Sequence, residues 1–287
     1  MCDSDNNQGF VDTSFTRRSV VLTMTSAAAM AGLPDAAFAA DVVETDVIVP
    51  TPDGKADAVL FRPAGAGSWP AVLMWPDILG LRPVFREMGK RLAAAGYVVL
   101  VPNPFYRTNR APVVTGPFDF NNPQQRDGLM AIRAKLTDAM VDKDAAALIT
   151  FLDQQKQTKR RKGAGVQGYC FSGPFAFRTA AVRSDRVRAV GSFHGGGLVT
   201  KEATSPHFLI PKTKASFLVA IARNDDQKQP QAKDVLKAAF SAAKRPAVVE
   251  VYPADHGWCV PGSQSYDQTS AERAWAELLR LYRANLA

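Results

Sequence analysis

Cysteine and histidine are both scarce in this chain of 287 residues, with three of each. The cysteines (Cys2, Cys170 and Cys259) form no disulfide framework, and a chain of this length buries a large core without one. Three scattered histidines beside so few cysteines give no metal-ligand spacing, so no metal is expected. There is no G-x-G-x-x-G and no P-loop pattern, hence no nucleotide cofactor, and none of another kind is implied. Internal repeats and low-complexity tracts are absent too, which excludes solenoids and disordered arrays. The charge balance of +8 raises the question of nucleic acid. Its one dense basic cluster, Lys156 to Lys162, has no interleaved aromatic residue on which a base could stack, so no nucleic-acid partner is expected.

What is present begins with a leader. Arg17 and Arg18 precede an uncharged run, Ser19 to Leu33, and then Ala37-Phe38-Ala39, an A-x-A cleavage pattern. Basic pair, apolar run and small-residue site are the layout of an export signal, here of twin-arginine type. The run is too short and too rich in Ala, Thr and Ser to span a membrane. Residues 1–39 therefore read as an export signal and the protein as exported, to the periplasm. Residues 40–287 read as one domain, because no linker divides them.

Val42 to Val49 and Ala56 to Arg62 flank Pro52-Asp53-Gly54 and read as an antiparallel hairpin. Short apolar runs follow at Ala71–Trp75, Tyr97–Val101, Gly165–Tyr169, Val187–Phe193, Ser216–Ala222 and Val248–Tyr252. Between them lie segments of helical spacing at Val84–Ala95, Met140–Leu152, Phe175–Val182, Gln231–Ala243 and Ser270–Ala284. Pro102 to Asn122, rich in Pro and Asn, reads as a long functional loop. The alternation implies an α/β fold: a mostly parallel sheet with an antiparallel N-terminal edge and helices on both faces.

Sites in such sheets form at the carboxyl ends of strands, and three ends carry suitable residues. Gly168-Tyr169-Cys170-Phe171-Ser172-Gly173 fits the nucleophile elbow G-x-S-x-G with Cys for Ser, and Ser172 for the second Gly. Cys170 is the expected nucleophile, at a helix N-terminus that favours a thiolate. Ser172 is the weaker alternative, since a pattern centred on it lacks flanking glycines. Asp225 and Asp226 follow a later strand, and His256 follows the last one. The order nucleophile, acid, base is that of the α/β-hydrolases. The residue after the elbow, Phe171, and Ile78 in the loop after the third strand should supply the oxyanion-hole N–H groups. His194 ends the strand after the elbow and could line the pocket, whereas His207 reads as surface.

At these residues the chain resembles the dienelactone hydrolase family. Gly-Tyr-Cys-x-x-Gly at 168–173, Pro76-Asp77-Ile78-Leu79-Gly80, Gly96-Tyr97 and the His256 loop all look like the family's, over nearly all of residues 42–285. The resemblance implies an α/β-hydrolase domain that hydrolyses a small-molecule lactone or ester. Cys170 would attack the carbonyl, His256 would shuttle the proton, and an aspartate would orient His256. Alignment on the strand selects Asp225, the preferred reading, and alignment on the family's Asp-x-x-x-Pro selects Asp226 with Pro230. The chain departs from the family's well-known members in carrying Asp77 for Glu, and Val260 for the Arg that receives a substrate carboxylate. Val260 and Trp258 thus imply an apolar pocket wall and a neutral substrate, unless Arg107 reaches in from the long loop. The rival readings are a non-catalytic or redox-responsive relative using Cys170 and Cys259, and a transferase or peptidase on the same fold. No motif sets an oligomeric state.

Overall fold

Eight short strands, all but the first two nearly free of charge, gather into one sheet in the order β1-β2-β4-β3-β5-β6-β7-β8. The structure, a computed structural model, describes residues 41–286, so the export-signal reading of residues 1–39 lies outside the described residues. The strands are β1 (Val42–Thr51), β2 (Gly54–Pro63), β3 (Ala71–Trp75), β4 (Val98–Pro102), β5 (Ala164–Tyr169), β6 (Val187–Phe193), β7 (Ser216–Ala222) and β8 (Ala247–Tyr252). β1 and β2 form the expected hairpin, closing where Thr51 faces Gly54, and β2 pairs antiparallel with β4. Every other pairing is parallel.

Alternation along the strands sends side chains into two cores. Ala71, Leu73 and Trp75 face one side, into the core that α3 (Asp138–Gln154), α4 (Gly173–Val182) and α6 (Ala232–Ala242) cover. Val72 and Met74 face the other, against α1 (Pro83–Ala94) and α7 (Gln268–Leu286). Both faces of β3, β4 and β5 are buried throughout, which explains their largely apolar runs; Gln167 in β5 is buried with its amide paired to the Tyr169 and Tyr282 hydroxyls. Among the described residues no helix is long and apolar enough to cross a membrane.

Two helices were not anticipated. α2 (Pro123–Ala134) begins directly after the long loop, capped by the Asn122 side chain with Pro123 in its first turn. α5 (Arg223–Lys228) is a short helix that starts as β7 ends. The chain order places β3 and β5 side by side in mid-sheet while β4 lies outward, so the direction of winding reverses between them. Crevices open at such reversals, beyond the carboxyl ends of the strands.

Candidate active site

Beyond β5 the backbone turns sharply at Cys170, whose φ of 57° lies in the left-handed region. The chain then runs through a 3-10 turn, Cys170–Ser172, into α4. Only glycine fits at position 168, because a Cβ there would stand 2.1 Å from the Ser172 carbonyl oxygen. A Cβ on Gly173 would stand 2.6 Å from the Gly195 Cα, where α4 crosses the loop after β6. Ser172, the alternative nucleophile, is fully buried, and its hydroxyl accepts from the Tyr169 N–H at 2.9 Å. The same hydroxyl lies 3.0 Å from the Trp75 carbonyl, so it fastens the elbow to β3 and faces no cavity. Cys170, like Phe171 after it, is half-exposed.

The loops after β7 and β8 are tied together. The Arg223 N–H donates to the Ala254 carbonyl at 2.9 Å, and the His256 N–H donates to Asn224 Oδ1 at 2.8 Å. This sets the His256 ring beside Asp225, with Nδ1 2.6 Å from Oδ2. Asp226, one residue on, turns the other way and accepts from Lys233 Nζ at 2.7 and 2.9 Å. Asp226 therefore does not meet His256, and of the two aspartates only Asp225 faces the ring. Burial pulls the His256 ring down, but the Asp225 carboxylate and the Cys170 sulfur outweigh it and push the imidazole up to about 10. The ring that Asp225 holds is thus also under the influence of the Cys170 sulfur.

Two cavities meet at this pair. One, of about 660 Å³, is walled by Asp77, Ile78, Leu79, His194, Val260 and the tip of the long loop at Phe118 and Phe120. The other, of about 440 Å³, is walled by Phe171, Phe175, Gly196, Arg133 and Thr200. Cys170 and His256 belong to both. The first turn of a helix leaves its N–H groups without intrahelical partners, so the Phe171 N–H, next to Cys170, is uncommitted to the helix. Ile78 lines the larger cavity and Phe171 the smaller one, on either side of Cys170.

Other expected pocket residues divide. Asp77, His194 and Val260 line the larger cavity. Asp77 is held there by Arg82, whose Nη1 and Nη2 donate to its two oxygens at 2.6 and 2.9 Å. Trp258 does not line it: fully buried, its indole stacks on Tyr252 with ring centroids 4.6 Å apart. Arg107 is also elsewhere. Its guanidinium donates to both oxygens of Asp144 at 2.7 and 2.8 Å and to Asp53 at 2.8 Å, which spends it on the scaffold. Cys259 is buried in the core against α7, and burial pushes its thiol well up. His207 is half-buried, with Nδ1 2.7 Å from Ser205 Oγ.

Sequence reasoning missed Arg82 and Arg133. The first could have been found as the cation closing a tight turn five residues after Asp77. The second sits on α2, whose Asn-Pro start is a legible helix signal. Arg133 donates to the Leu136 carbonyl at 3.0 Å and lies over the Phe171 ring. Among the described residues no three His, Cys, Asp or Glu side chains stand together as a metal site would need.

The profile of the dienelactone hydrolase family matches residues 56–286. A curated relative from Methylorubrum extorquens is 28% identical across 98% of this chain and 97% of its own. Carboxymethylenebutenolidase 1 of Cupriavidus pinatubonensis is 26% identical across 79% of this chain and 91% of its own. Among solved structures, a dienelactone hydrolase-like promiscuous phosphotriesterase from metagenomic libraries superposes with a TM-score of 0.70 at 20% identity, covering 86% of this chain and 99% of that one. The dienelactone hydrolase of Anabaena variabilis gives 0.60 at 17% identity, with coverage of 86% and 99%. At such identities the structures speak for the fold alone.

Proposed function

Because the chain belongs to the dienelactone hydrolase family, a family of ester and lactone hydrolases, we propose that it cleaves a carboxylic ester or lactone through Cys170, His256 and Asp225. The observation that carries this reading is the position of the His256 ring, 2.6 Å from Asp225 and beside Cys170 on the wall of the same two cavities. The sulfur, charged while the ring is protonated, attacks the substrate carbonyl carbon. The negative charge that forms on the carbonyl oxygen is received by the N–H groups of Phe171 and Ile78. Collapse breaks the bond to the alcohol oxygen, which takes the His256 proton and leaves, or swings away on its tether in a lactone. A thioester on Cys170 remains. His256, now neutral, draws a proton from water, the hydroxide attacks the thioester, and acid and thiol are released. Asp225 keeps the Nδ1 proton in place through both half-reactions.

Two further readings rest on sequence and site chemistry. The uncharged side chain at Val260 and the apolar residues around it suit a neutral substrate. The leader, residues 1–39, suits export to the periplasm by the twin-arginine route, which carries folded proteins and would deliver Cys170 inside a finished pocket. Mass spectrometry of acylated protein tests the mechanism: on brief mixing with a slow ester, the acyl mass should sit on the peptide bearing Cys170. Turnover that proceeds with Cys170 replaced by Ala sinks it. Recovery from cells of a protein still starting at Met1 in the cytoplasm refutes the export reading.

A further inference from the structure

His194 is a second imidazole in the site, and the triad gives it nothing to do. It is only 1% exposed, and it lines the larger cavity together with Cys170, His256 and Asp77. Its ring stands edge-to-face against His256, with centroids 4.8 Å apart. Among the described residues neither Nδ1 nor Nε2 has a hydrogen-bond partner. A buried polar atom left unpaired costs free energy, and two on one ring amount to an oddity that packing does not explain. Phenylalanine would fill the same space at no such cost. The backbone is strained as well: φ is 39° at His194, in the region that side chains other than glycine seldom adopt. Strain and unpaired polar atoms concentrate where a ligand completes the structure. Cys170 and His194 are two of the three described non-glycine residues with positive φ, and both stand at strand ends facing this cavity.

We infer that His194 is a specificity-determining residue that hydrogen-bonds an uncharged hydroxyl on the substrate, close to the bond being cleaved. Burial and the neighbouring His256 hold its ring well below the usual imidazole range, so it stays neutral while His256 carries the proton. A neutral imidazole offers one donor and one acceptor, and a hydroxyl pairs with either nitrogen whatever the tautomer. A carboxylate can only accept, and it would face Asp77 across the same cavity. The ligand class that results is a neutral hydroxy-ester or hydroxy-lactone. This rests on the ester-hydrolase reading above, yet the two fail in different ways.

The test uses the full mature protein and three probes: ethyl butyrate, ethyl 2-hydroxybutyrate and ethyl 3-hydroxybutyrate. The wild type should favour at least one hydroxy-ester over ethyl butyrate by about tenfold or more in kcat/KM, the scale of a site built to pair a substrate hydroxyl. In His194→Phe that ratio should collapse towards one, whatever happens to the absolute rates. His194→Asn, which keeps a donor and an acceptor on a shorter stem, should retain part of it and serves if the Phe variant does not fold. A wild type without preference for either hydroxy-ester overturns the proposal, as does a preference that survives in both variants. Failure to cleave any of the three, ethyl butyrate included, would instead count against the hydrolase reading itself.

Discussion

The short loops after β5, β7 and β8 and the long loop after β4 are held in place by different means. The short loops carry Cys170, Asp225 and His256, and each of these side chains stands within a few residues of a strand end. Their positions follow from the sheet register and from local contacts, such as the Arg223 N–H on Ala254 and the His256 N–H on Asn224. The long loop has no strand to hold it. Its first half is fixed by partners far along the chain: the Ala111 N–H donates to Asp57, 54 residues away, and Arg107 reaches Asp144, 37 residues away. Its second half, around Phe118 and Phe120, is left to wall the cavity. The cavity wall that the long loop supplies is therefore held separately from the loops that carry Cys170, Asp225 and His256, and its residues can change without moving those three.

The comparison breaks first at the nucleophile. Cys170→Ala should abolish turnover of a short-chain ester, whereas Cys259→Ala should keep most of it. Next comes the base: His256→Ala should lose roughly 10²-fold or more in kcat, and a loss below tenfold would mean that another group takes the proton. Asp225→Asn should also lower kcat strongly, because the ring loses the partner that holds its tautomer, while Asp226→Asn, whose partner is Lys233, should change kcat by less than about threefold.

The pH profile sharpens the same point. His256 is raised from its ordinary value of 6.5 to about 10. Its pairing therefore contributes stability fully below pH 6.5 and loses that contribution as pH rises through about 10. Activity that depends on the protonated ring should fall on the same alkaline limb, with an apparent value belonging to the thiol–imidazole pair. Because the Asp225 hydrogen bond raises the ring, Asn at 225 should move that limb to lower pH. A limb that stays put in Asp225→Asn would contradict the role given to that carboxylate.

Arg107 probes the other region. Its removal would strand Asp144, whose side chain is 3% exposed, and should cost about 3 kcal/mol in stability, as breaking a buried pair does. Denaturant unfolding of Arg107→Ala measures this, and kcat on a neutral ester should stay within about threefold of wild type. A large loss of activity at unchanged stability would return Arg107 to the pocket.

How much was legible in the chain follows the same division. Largely apolar runs bounded by Gly, Pro and Asp located the strands, because a strand buried on both faces leaves few positions open to polar residues. The elbow was legible from Gly168, where nothing larger fits, and the order of acid and base followed from which strand each one ends. The choice between Asp225 and Asp226 was not. Adjacent residues in a helix point about 100° apart, and α5, which fixes their facing, is too short to announce itself by periodicity. Arg107 was misread because its partners, Asp53 and Asp144, lie in a hairpin turn and a helix that no local pattern connects to it. His194 was placed at the pocket by its strand, but its unpaired nitrogens are a property of the packed interior and have no signature in sequence.

A further expected effect concerns the cavity wall that the long loop completes. A substrate carboxylate entering the larger cavity would need a direct cation or suffer the loss of its hydration. Val260, fully buried at that wall, offers none. Arg82 lines the same cavity, but both its arms are on Asp77, and a carboxylate there would have to compete with that pair. Surface charge raises encounter rates and is screened by salt, so the chain's +8 does not replace a contact. Methyl butyrate should therefore be cleaved better than monomethyl succinate by about tenfold in kcat/KM, one charge-assisted contact being worth about that much, and Val260→Arg should narrow or reverse the ratio. The competing cation is Arg133, which lines the smaller cavity and forms no ion pair among the described residues. If the wild type prefers the succinate ester, the carboxylate must bind on that side of Cys170, and Arg133→Ala should then remove the preference while Val260→Arg leaves it unchanged.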